Sequence, residues 1–392
     1  MKDTVLKLML KNRRHVGDHQ YTLPSINAYP YQWLWDSCFH AIILSHFSPI
    51  DAQKEILSLI SKQFDNGLIP HMIYWEKADV LNIDWGTSGT SSITQPPMIA
   101  YAVWQIFQKD GDEEFLKKVY KHLFHFHKYL INERDPHERN LIGVINPDES
   151  GEDNSPRFDE PLNLQPIHSI DTNFKRRLKL IEENRECNFD APFCMKNFFW
   201  VKDVPFNVIM VENLKCLARI AERLGHDYDA KYFGEKRQKI IDAMRELMFE
   251  DNIFWTTYGD DYKKIKVKTW ALFAPLFAKI PTQEEAELLV NTYLLNKEEF
   301  WTEYPIPTVS QKEPSFDAEG FWRGPTWFAP NWFIYKGLIQ YGFADIASEL
   351  KEKSLKLLKK SGFREQFNPK TGEGLGAKEF TWGGLIIDMD DE

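Results

Sequence analysis

The sequence has few cysteines, and their scarcity excludes the disulfide-rich class of protein. There are four in 392 residues: Cys38, Cys187, Cys194 and Cys216. So few cannot form a disulfide framework in a chain of this length, and Cys187 and Cys194 lack the close spacing of a zinc ribbon. We therefore expect four free thiols in a reducing compartment.

Long apolar runs and basic clusters are also missing. No stretch of about 18 apolar residues occurs, and the N-terminus has no continuous apolar core of the signal-peptide kind, which predicts a cytoplasmic protein that does not enter membranes. Lys and Arg number 48 against 58 Asp and Glu, a formal net charge of −10. Because no basic tail or patch is evident, nucleic acid is not expected to be a partner.

Strand-like alternation is nearly absent, whereas apolar residues recur at helical spacing in many segments, such as Leu116, Val119, Leu123, Phe126 and Leu130. We count about eleven or twelve helices by this periodicity. Polar turns at 109–112 and 224–227 join neighbouring helices, with Gly as the expected C-cap and Asp as the expected N-cap. A solenoid would show a repeat, and none is found. A closed double ring of helices remains.

Aromatic residues are abundant, at 14% of the chain. Many lie with Pro, Gly and carboxylates in long segments between the helix pairs, namely 21–36, 65–95, 134–206, 251–268, 297–326 and 362–382. Long connections in a compact protein are usually functional. No linker divides the chain, so residues 1–392 are expected to form one domain, with 160–200 as a possible inserted lid segment.

The first segment with chemical potential is 29–36 (YPYQWLWD), which places aromatic rings beside Asp36. Sugars are bound by stacking on an indole and by carboxylate hydrogen bonds to vicinal hydroxyls, so Trp35 and Asp36 suit a sugar. Equally, Asp36 would serve as a helix cap and Trp35 as a core residue.

The second segment is 146–159 (NPDESGEDNSPRFD), with five carboxylates in 14 residues. It is consistent with a solvated turn, or with a calcium loop, although its spacing fails the EF-hand pattern. A third interpretation is a catalytic acid whose pKa is raised by neighbouring carboxylates.

Two further segments follow, 322–327 (WRGPTW) and 363–374 (FREQFNPKTGEG). In the second, Arg364 beside Glu365 is expected to keep that carboxylate ionised, as a general base requires, while the acidic segment favours a protonated partner. Opposite pKa shifts would then separate an acid from a base. With 58 acidic residues, composition alone does not select this pair.

Six motifs in register carry a resemblance to a known family: Trp35-Asp36; Gln95-Pro96-Pro97; 149–156 (ESGEDNSP); 203–207 (DVPFN); 322–327 (WRGPTW); and Glu365 with 368–374 (NPKTGEG). Together, over about residues 29–383, they resemble the glycoside hydrolase family of processing α-glucosidase I, family 63. The closest similarity is to its short bacterial mannosylglycerate and glucosylglycerate hydrolases, with a more distant one to trehalase.

This resemblance implies an all-α (α/α)6 toroid with long loops at the active-site end, an inverting mechanism, and neither cofactor nor metal. Asp153 would be the general acid and Glu365 the general base, about 6.5–9.5 Å apart so that a water fits between the base and the sugar. It also implies a small carbohydrate as partner, bound by a set of residues in which Asp36 and Arg323 grip hydroxyls: Tyr31, Trp35, Asp36, Gln95, Trp322, Arg323, Gly324 and Trp327.

One departure from the family pattern concerns the leaving group. Solute-hydrolysing members often carry an aromatic residue just before Glu-Ser-Gly, where this chain has Asp148. The expected substrate is α-mannosylglycerate or α-glucosylglycerate, with trehalose or short α-glucans as the alternative. Candidates to meet a glycerate carboxylate are Tyr31, Tyr74, Tyr304, Gln311 and Lys312.

Two other functions remain open. Sugar epimerases of the same ring fold use paired histidines, and His122, His125 and His127 lie together on or beside one helix, with His71 in a separate loop. Helical histidines are more often surface or core residues than catalysts. A non-catalytic carbohydrate-binding protein is the other alternative, and the presence of both Asp153 and Glu365 argues against it.

Overall fold

Helices dominate the computed structural model, which describes residues 1–78 and 83–389. Twelve α-helices lie in these ranges: α1 Lys2–Asn12, α2 Leu34–Ser45, α3 Pro49–Ile60, α4 Ile99–Asp110, α5 Glu113–Glu133, α6 Ile170–Glu186, α7 Ala191–Asn197, α8 Val204–Arg223, α9 Asp227–Leu247, α10 Gln283–Leu289, α11 Phe328–Gln340 and α12 Ala344–Ser361. A π-helical turn, Val290–Leu294, continues α10.

Strands are short and form two-stranded antiparallel pairs. In chain order they are β1 Arg13–Val16, β2 His19–Thr22, β3 Gln32–Trp33, β4 Met72–Ile73, β5 Phe249–Glu250, β6 Ile253–Phe254, β7 Thr257–Tyr258, β8 Lys263–Lys264, β9 Arg364–Phe367 and β10 Gly374–Lys378. Pairing of β3 with β4 and of β9 with β10 shapes two of the loops that carry site residues.

Six buried elements form a closed inner ring. Helix α2 contacts α4, α4 contacts α8, and α8 contacts the 3₁₀ turn Ala274–Leu276. That turn contacts α11, which meets the 3₁₀ helix Thr381–Met389, and the latter returns to α2. Helices α3, α5, α9 and α12 pack behind α2, α4, α8 and α11 respectively. This is the double ring that the sequence predicts.

Some of the predicted capping residues are found in the connections between paired helices. Gly111 ends α4 in the left-handed conformation (φ 67°), and the Asp112 side chain accepts a hydrogen bond from the Phe115 N–H at 3.1 Å, as predicted. Gly225 is also left-handed (φ 75°), but Asp227 is the first residue of α9 and His226 occupies the cap position. The predicted Asp227 cap is therefore wrong.

The segment 160–200, predicted as a possible lid, contains α6 and α7. The expectation of four free thiols is wrong here, because Cys187 and Cys194 form a disulfide. The turn after α6 folds the chain back on itself and brings the two Cα atoms to 6.2 Å, a separation that sequence spacing does not reveal. Cys38 and Cys216 are free and buried. No helix among the described residues is long and apolar enough to cross a membrane.

Candidate active site

A cavity of about 470 Å³ opens at the end of the ring where the inner elements α2, α4 and α11 begin. Of the ten residues that the resemblance assigns to the site, seven line it: Trp35, Asp36, Gln95, Asp153, Trp322, Trp327 and Glu365. Trp35 and Asp36 lie in the first turn of α2, and Gln95 precedes α4. Trp322 and Trp327 precede α11, and Glu365 lies in the β9–β10 hairpin. Residues far apart in sequence therefore meet because the ring closes.

Asp153 lies in the acidic segment two residues after Gly151, which packs against the Trp35 indole. Gly151 has φ 72°, and a Cβ there would lie 2.2 Å from a ring carbon of Trp35. Glycine is therefore required for the segment to approach the floor of the cavity this closely. The Asp153 carboxylate pairs with Arg177 of α6, Oδ2 lying 2.5 Å from Nη1.

Each of the five carboxylates in the acidic segment contacts an arginine. Glu149 pairs with Arg134, and Glu152 receives two hydrogen bonds from Arg157. The others are Asp159, held by Arg323, and Asp148 and Asp153, which share Arg177. Because arginine guanidinium groups occupy these oxygens, the segment is neither a solvated turn nor a calcium loop.

Glu365 projects from β9 into the same cavity, and both of its oxygens are hydrogen-bonded. The Tyr29 hydroxyl donates to Oε1 at 2.5 Å, and the Ala377 backbone N–H donates to Oε2 at 2.7 Å. An irregular register between β9 and β10 presents that N–H. Gly376 (φ 61°) makes this possible, since a Cβ there would lie 2.2 Å from Oε2. The carboxylate is thus held in one orientation.

The pKa shifts of the two carboxyls differ from the expectation. Burial raises the pKa of Asp153, Arg177 opposes the rise and Asp148 adds to it. Burial also raises the pKa of Glu365, against the hydrogen bonds from Tyr29 and Ala377, and the Asp153 charge adds to the rise. Arg364 has the weakest influence of these, and its guanidinium donates to the Gly376 carbonyl instead. The predicted opposite shifts are wrong, because burial dominates at both groups.

Asp36 lines the cavity and is almost fully buried. Trp382 donates its indole N–H to Oδ1 at 2.6 Å. Burial raises the pKa of Asp36 to about 6, with His40 opposing the rise. Gln95 accepts the Trp35 backbone N–H through its side-chain oxygen. The polar groups here can hold hydroxyls in a fixed orientation.

An aromatic wall faces these groups. Trp322 and Trp327 are stacked in parallel with ring centres 4.0 Å apart and planes 7° apart. The Trp327 indole N–H is held by the Phe321 carbonyl at 3.0 Å, and Trp382 packs on both rings at 5.4–6.1 Å. Such a fixed flat apolar surface suits the C–H face of a sugar ring.

The other three assigned residues do not line this cavity. Arg323 makes two hydrogen bonds to Asp159 and another to the Pro166 carbonyl, so its guanidinium is bound within the protein. Gly324 allows close chain approach, since a Cβ there would lie 2.2 Å from the Asp317 carbonyl oxygen. The Tyr31 hydroxyl donates to the Ala78 carbonyl. These placements show contacts within the protein, and the sugar contacts of the three residues stay predictions.

Several lining residues were missed by sequence reasoning. Tyr29 lies at the edge of a motif that was singled out, but nothing indicated that it would bind Glu365. Arg177, Asn173 and Phe174 come from α6, whose polar sequence carries no motif. Trp382 is the last residue of the segment 362–382 and lies outside its motif at 363–374. None of the five proposed partners for a glycerate carboxylate lines the cavity: Tyr31, Tyr74, Tyr304, Gln311 and Lys312. Lys312 pairs with Glu298 at the surface.

The histidines do not form a catalytic pair. His71 is the one histidine among the described residues that line the cavity, and burial lowers its pKa to about 3, which keeps it neutral. His122 contacts Gln63, and His127 is fully buried with Nδ1 against the Leu123 carbonyl. Within residues 1–78 and 83–389, no group of three or more His, Cys, Asp or Glu is arranged to hold a metal ion.

Comparisons with known proteins agree with this geometry. A family model described as the mannosylglycerate hydrolase MGH1-like glycoside hydrolase domain matches residues 29–383. Mannosylglycerate hydrolase of Thermus thermophilus is 32% identical, covering 93% of this chain and 95% of that protein. Glucosylglycerate hydrolase of Mycolicibacterium hassiacum is 29% identical, covering 92% and 91%.

Solved structures show the same ring. The Thermus thermophilus mannosylglycerate hydrolase in complex with Tris and D-glycerate matches with a TM-score of 0.91 and 31% identity, covering 100% of both chains. Neutral trehalase of Saccharomyces cerevisiae matches with a TM-score of 0.66 at 14% identity, covering 99% of this chain and 80% of that one. The predicted (α/α)6 fold is confirmed.

Proposed function

The chain belongs to the mannosylglycerate hydrolase MGH1-like glycoside hydrolase family, as its motifs predict, and we propose that it hydrolyses the α-mannoside or α-glucoside of glycerate with inversion. The observation that carries this proposal is the arrangement of three groups. Asp153 and Glu365 line one cavity, and Arg177 contacts Asp153 there. An acid, a base and a cation for an anionic leaving group are thus present together.

The glycone is proposed to bind between Asp36 and the Trp322–Trp327 wall. A sugar ring stacked on the wall would direct hydroxyls toward the Asp36 carboxylate and the Gln95 amide. Because one axial or equatorial hydroxyl separates mannose from glucose, a single hydrogen bond decides between them.

The leaving group is proposed to bind near α6. Arg177 has five N–H donors, of which two are directed to Asp148 and one to Asp153, so two remain for a ligand carboxylate. The side-chain oxygen of Asn173 is buried without a hydrogen-bond partner and belongs to a lining residue. These groups support a small aglycone with one carboxylate and one or two hydroxyls. D-glycerate, which occurs in the Thermus thermophilus complex, has this chemistry.

In the proposed reaction Asp153 is protonated and Glu365 is ionised. Asp153 gives its proton to the glycosidic oxygen as the bond from C1 to that oxygen breaks. A water attacks C1 from the opposite face and loses a proton to Glu365, whose carboxylate is oriented by Tyr29 and Ala377. The products are the β-anomer of the free sugar and the protonated leaving-group hydroxyl.

Proton NMR of the anomeric signals tests this function. Purified enzyme is given α-mannosylglycerate, α-glucosylglycerate, trehalose and short α-glucans separately. We expect the β-anomer to appear first with one of the two glycerate substrates. Early α-anomer would contradict inversion, release only from trehalose or glucans would contradict the leaving group, and a changed sugar without release would favour an epimerase.

Two variants test the assignment of the acid and the base. Asp153→Asn and Glu365→Gln are expected to abolish hydrolysis while the melting temperature and sugar binding persist. Glu373→Gln is the matched control, because Glu373 is an exposed carboxylate in the turn of the same hairpin. Full activity in either active-site variant would remove that residue from the mechanism.

The proposed location is the cytoplasm, where a small anionic glycoside would be a soluble metabolite. The Cys187–Cys194 disulfide is the feature that opposes this location, since a reducing compartment keeps thiols free. Thiol titration of protein from gently lysed cells would decide it. Two reactive thiols after denaturation would mark an oxidising compartment, and four would support the cytoplasm.

A further inference from the structure

Arg177 is one cation shared by two carboxylates. Asp148 accepts from its Nε at 3.1 Å and from its Nη2 at 2.7 Å, so both Asp148 oxygens are engaged. Asp153 is held through the single contact to Nη1. With both carboxylates ionised, this cluster has one negative charge more than Arg177 can balance. Asp153, held at one point, is the more easily released of the two.

The pairing presents a difficulty for catalysis. A guanidinium beside a carboxylate favours its ionised form. Asp153, however, must be protonated to act as the general acid. In the free enzyme, Arg177, the residue that would recognise the leaving group, therefore opposes the protonation of Asp153 that burial favours.

We propose that Arg177 couples recognition of an anionic leaving group to protonation of Asp153, so that the substrate carboxylate itself prepares the general acid. This inference rests on the proposed function. When the ligand carboxylate takes the free N–H groups of Arg177, three carboxylates share one cation. Asp153 then takes up a proton from solution and keeps a neutral hydroxyl toward the glycosidic oxygen.

The charged groups around Asp153 favour it as the site of that proton. Asp148 lies on its own segment, Arg177 on α6, Glu365 on β9 and Tyr29 on the N-terminal loop. Tyr29 cannot accept a proton, and His71 near Asp148 has its pKa lowered to about 3 by burial. Glu365 is hydrogen-bonded by two donors that favour its anion. Burial already raises the pKa of Asp153, so added negative charge acts on a group that is poised to protonate.

Asp148 is essential to the coupling. If Asp148 were neutral, only Asp153 and the incoming carboxylate would share the charge of Arg177. Asp153 would then remain ionised. Arg177 and Asp148 are positioning residues here, because each acts through Asp153.

Calorimetry measures the proton uptake directly. D-glycerate is titrated into the intact enzyme in two buffers of different ionisation enthalpy, at several values between about pH 5 and pH 8. For a pKa rise of about one unit or more at Asp153, we expect uptake to peak at about half a proton or more per D-glycerate in the wild type and in Glu365→Gln. It should vanish in Asp153→Asn and fall strongly in Asp148→Asn. Glycerol, which lacks the carboxylate, should cause none.

The possible failures are distinguishable. Binding of D-glycerate without proton uptake would overturn the coupling while leaving the proposed function intact. Uptake that persists in Asp153→Asn would also overturn it, since the proton would then reside elsewhere. No binding of D-glycerate at any of these pH values would overturn the coupling and the proposed leaving group together.

A kinetic comparison supplies an independent readout. α-Mannosylglycerate and α-mannosylglycerol, or the glucosides if those are cleaved, differ in the carboxylate that Arg177 would bind. The alkaline limb of kcat reports the acid in the substrate complex. We expect it at least about one pH unit higher for the anionic substrate, which makes kcat on that limb about tenfold larger. The difference should disappear in Arg177→Met and partly return in Arg177→Lys, and superimposed wild-type kcat profiles would overturn the coupling.

Discussion

Gly376 offers a direct test of how the general base is held. Its φ is 61°, and an added Cβ would lie 2.2 Å from Glu365 Oε2, about 1 Å short of the 3.4 Å at which ordinary contact begins. In Gly376→Ala the carboxylate must therefore move by about that amount and lose its hydrogen bond from the Ala377 N–H. A misplacement of about 1 Å costs about 10²-fold in rate.

Two effects must be separated in this variant, because alanine in the left-handed conformation strains the backbone by about 1–2 kcal/mol even where there is space for its Cβ. Gly111→Ala is the control: its φ is 67° in the left-handed region, and no atom lies within 4 Å of the added Cβ. The melting temperature of both variants should fall by a similar amount, about 1–3 °C for a chain of this length. Only Gly376→Ala should lose kcat, by about 10²-fold, with little change in KM.

The assay is steady-state hydrolysis of the preferred glycerate glycoside, with thermal unfolding measured on the same preparations. If Gly376→Ala retained kcat within about threefold of the control, the orientation of Glu365 would not limit the reaction, and the assignment of this carboxylate as the base would be undermined. If both variants lost activity equally, backbone strain would be the cause and the contact with Glu365 would be irrelevant.

Three further variants test other contacts. Tyr29→Phe removes the hydroxyl that donates to Glu365; kcat should fall about tenfold and the acidic limb of kcat should move to higher pH, and an unchanged limb would contradict this, with Tyr31→Phe as the control. Arg323→Met leaves Asp159 buried without its cation, so we expect a loss of about 3–5 kcal/mol in unfolding free energy; a raised KM at unchanged stability would restore its predicted role in sugar binding. Asp36→Asn should lower kcat/KM by about 10–10²-fold, and in the wild type kcat/KM should decline as the pH falls below about 6, where Asp36 gains a proton; wild-type activity in the variant would place the sugar elsewhere.

The ring was predictable from the sequence because four of its inner elements, α2, α4, α8 and α11, are helices of ordinary length with strong apolar character. The remaining two were not predictable as ring members. The turn Ala274–Leu276 is too short for helical periodicity, and Thr381–Met389 is a 3₁₀ helix, which does not follow the 3.6-residue repeat. Their place became clear only from contacts with their neighbours in the ring.

The site was predictable where a motif carries both the chemistry and its position. Trp35, Asp36 and Gln95 lie at the starts of inner helices, and all three line the cavity. The position of Arg323 outside the cavity was not predictable, because its partner Asp159 is 164 positions away and the sequence does not show which cation pairs with which carboxylate. Arg177 was missed for the same reason. It lies in a polar helix, and only the fold brings it to Asp153.

These arginines also explain why an acidic segment can carry a single proton donor. Glu149 and Glu152 are almost fully buried, and each is bound by two guanidinium nitrogens and by further N–H donors. Removing one partner from such a buried ion pair is costly, so these carboxylates are held in place by their arginines. Asp153 differs because its ion pair has one contact and faces the cavity. The fold therefore holds the neighbouring carboxylates in buried ion pairs. Asp153 is the one whose ion pair a ligand carboxylate can break, so that it can act as the acid.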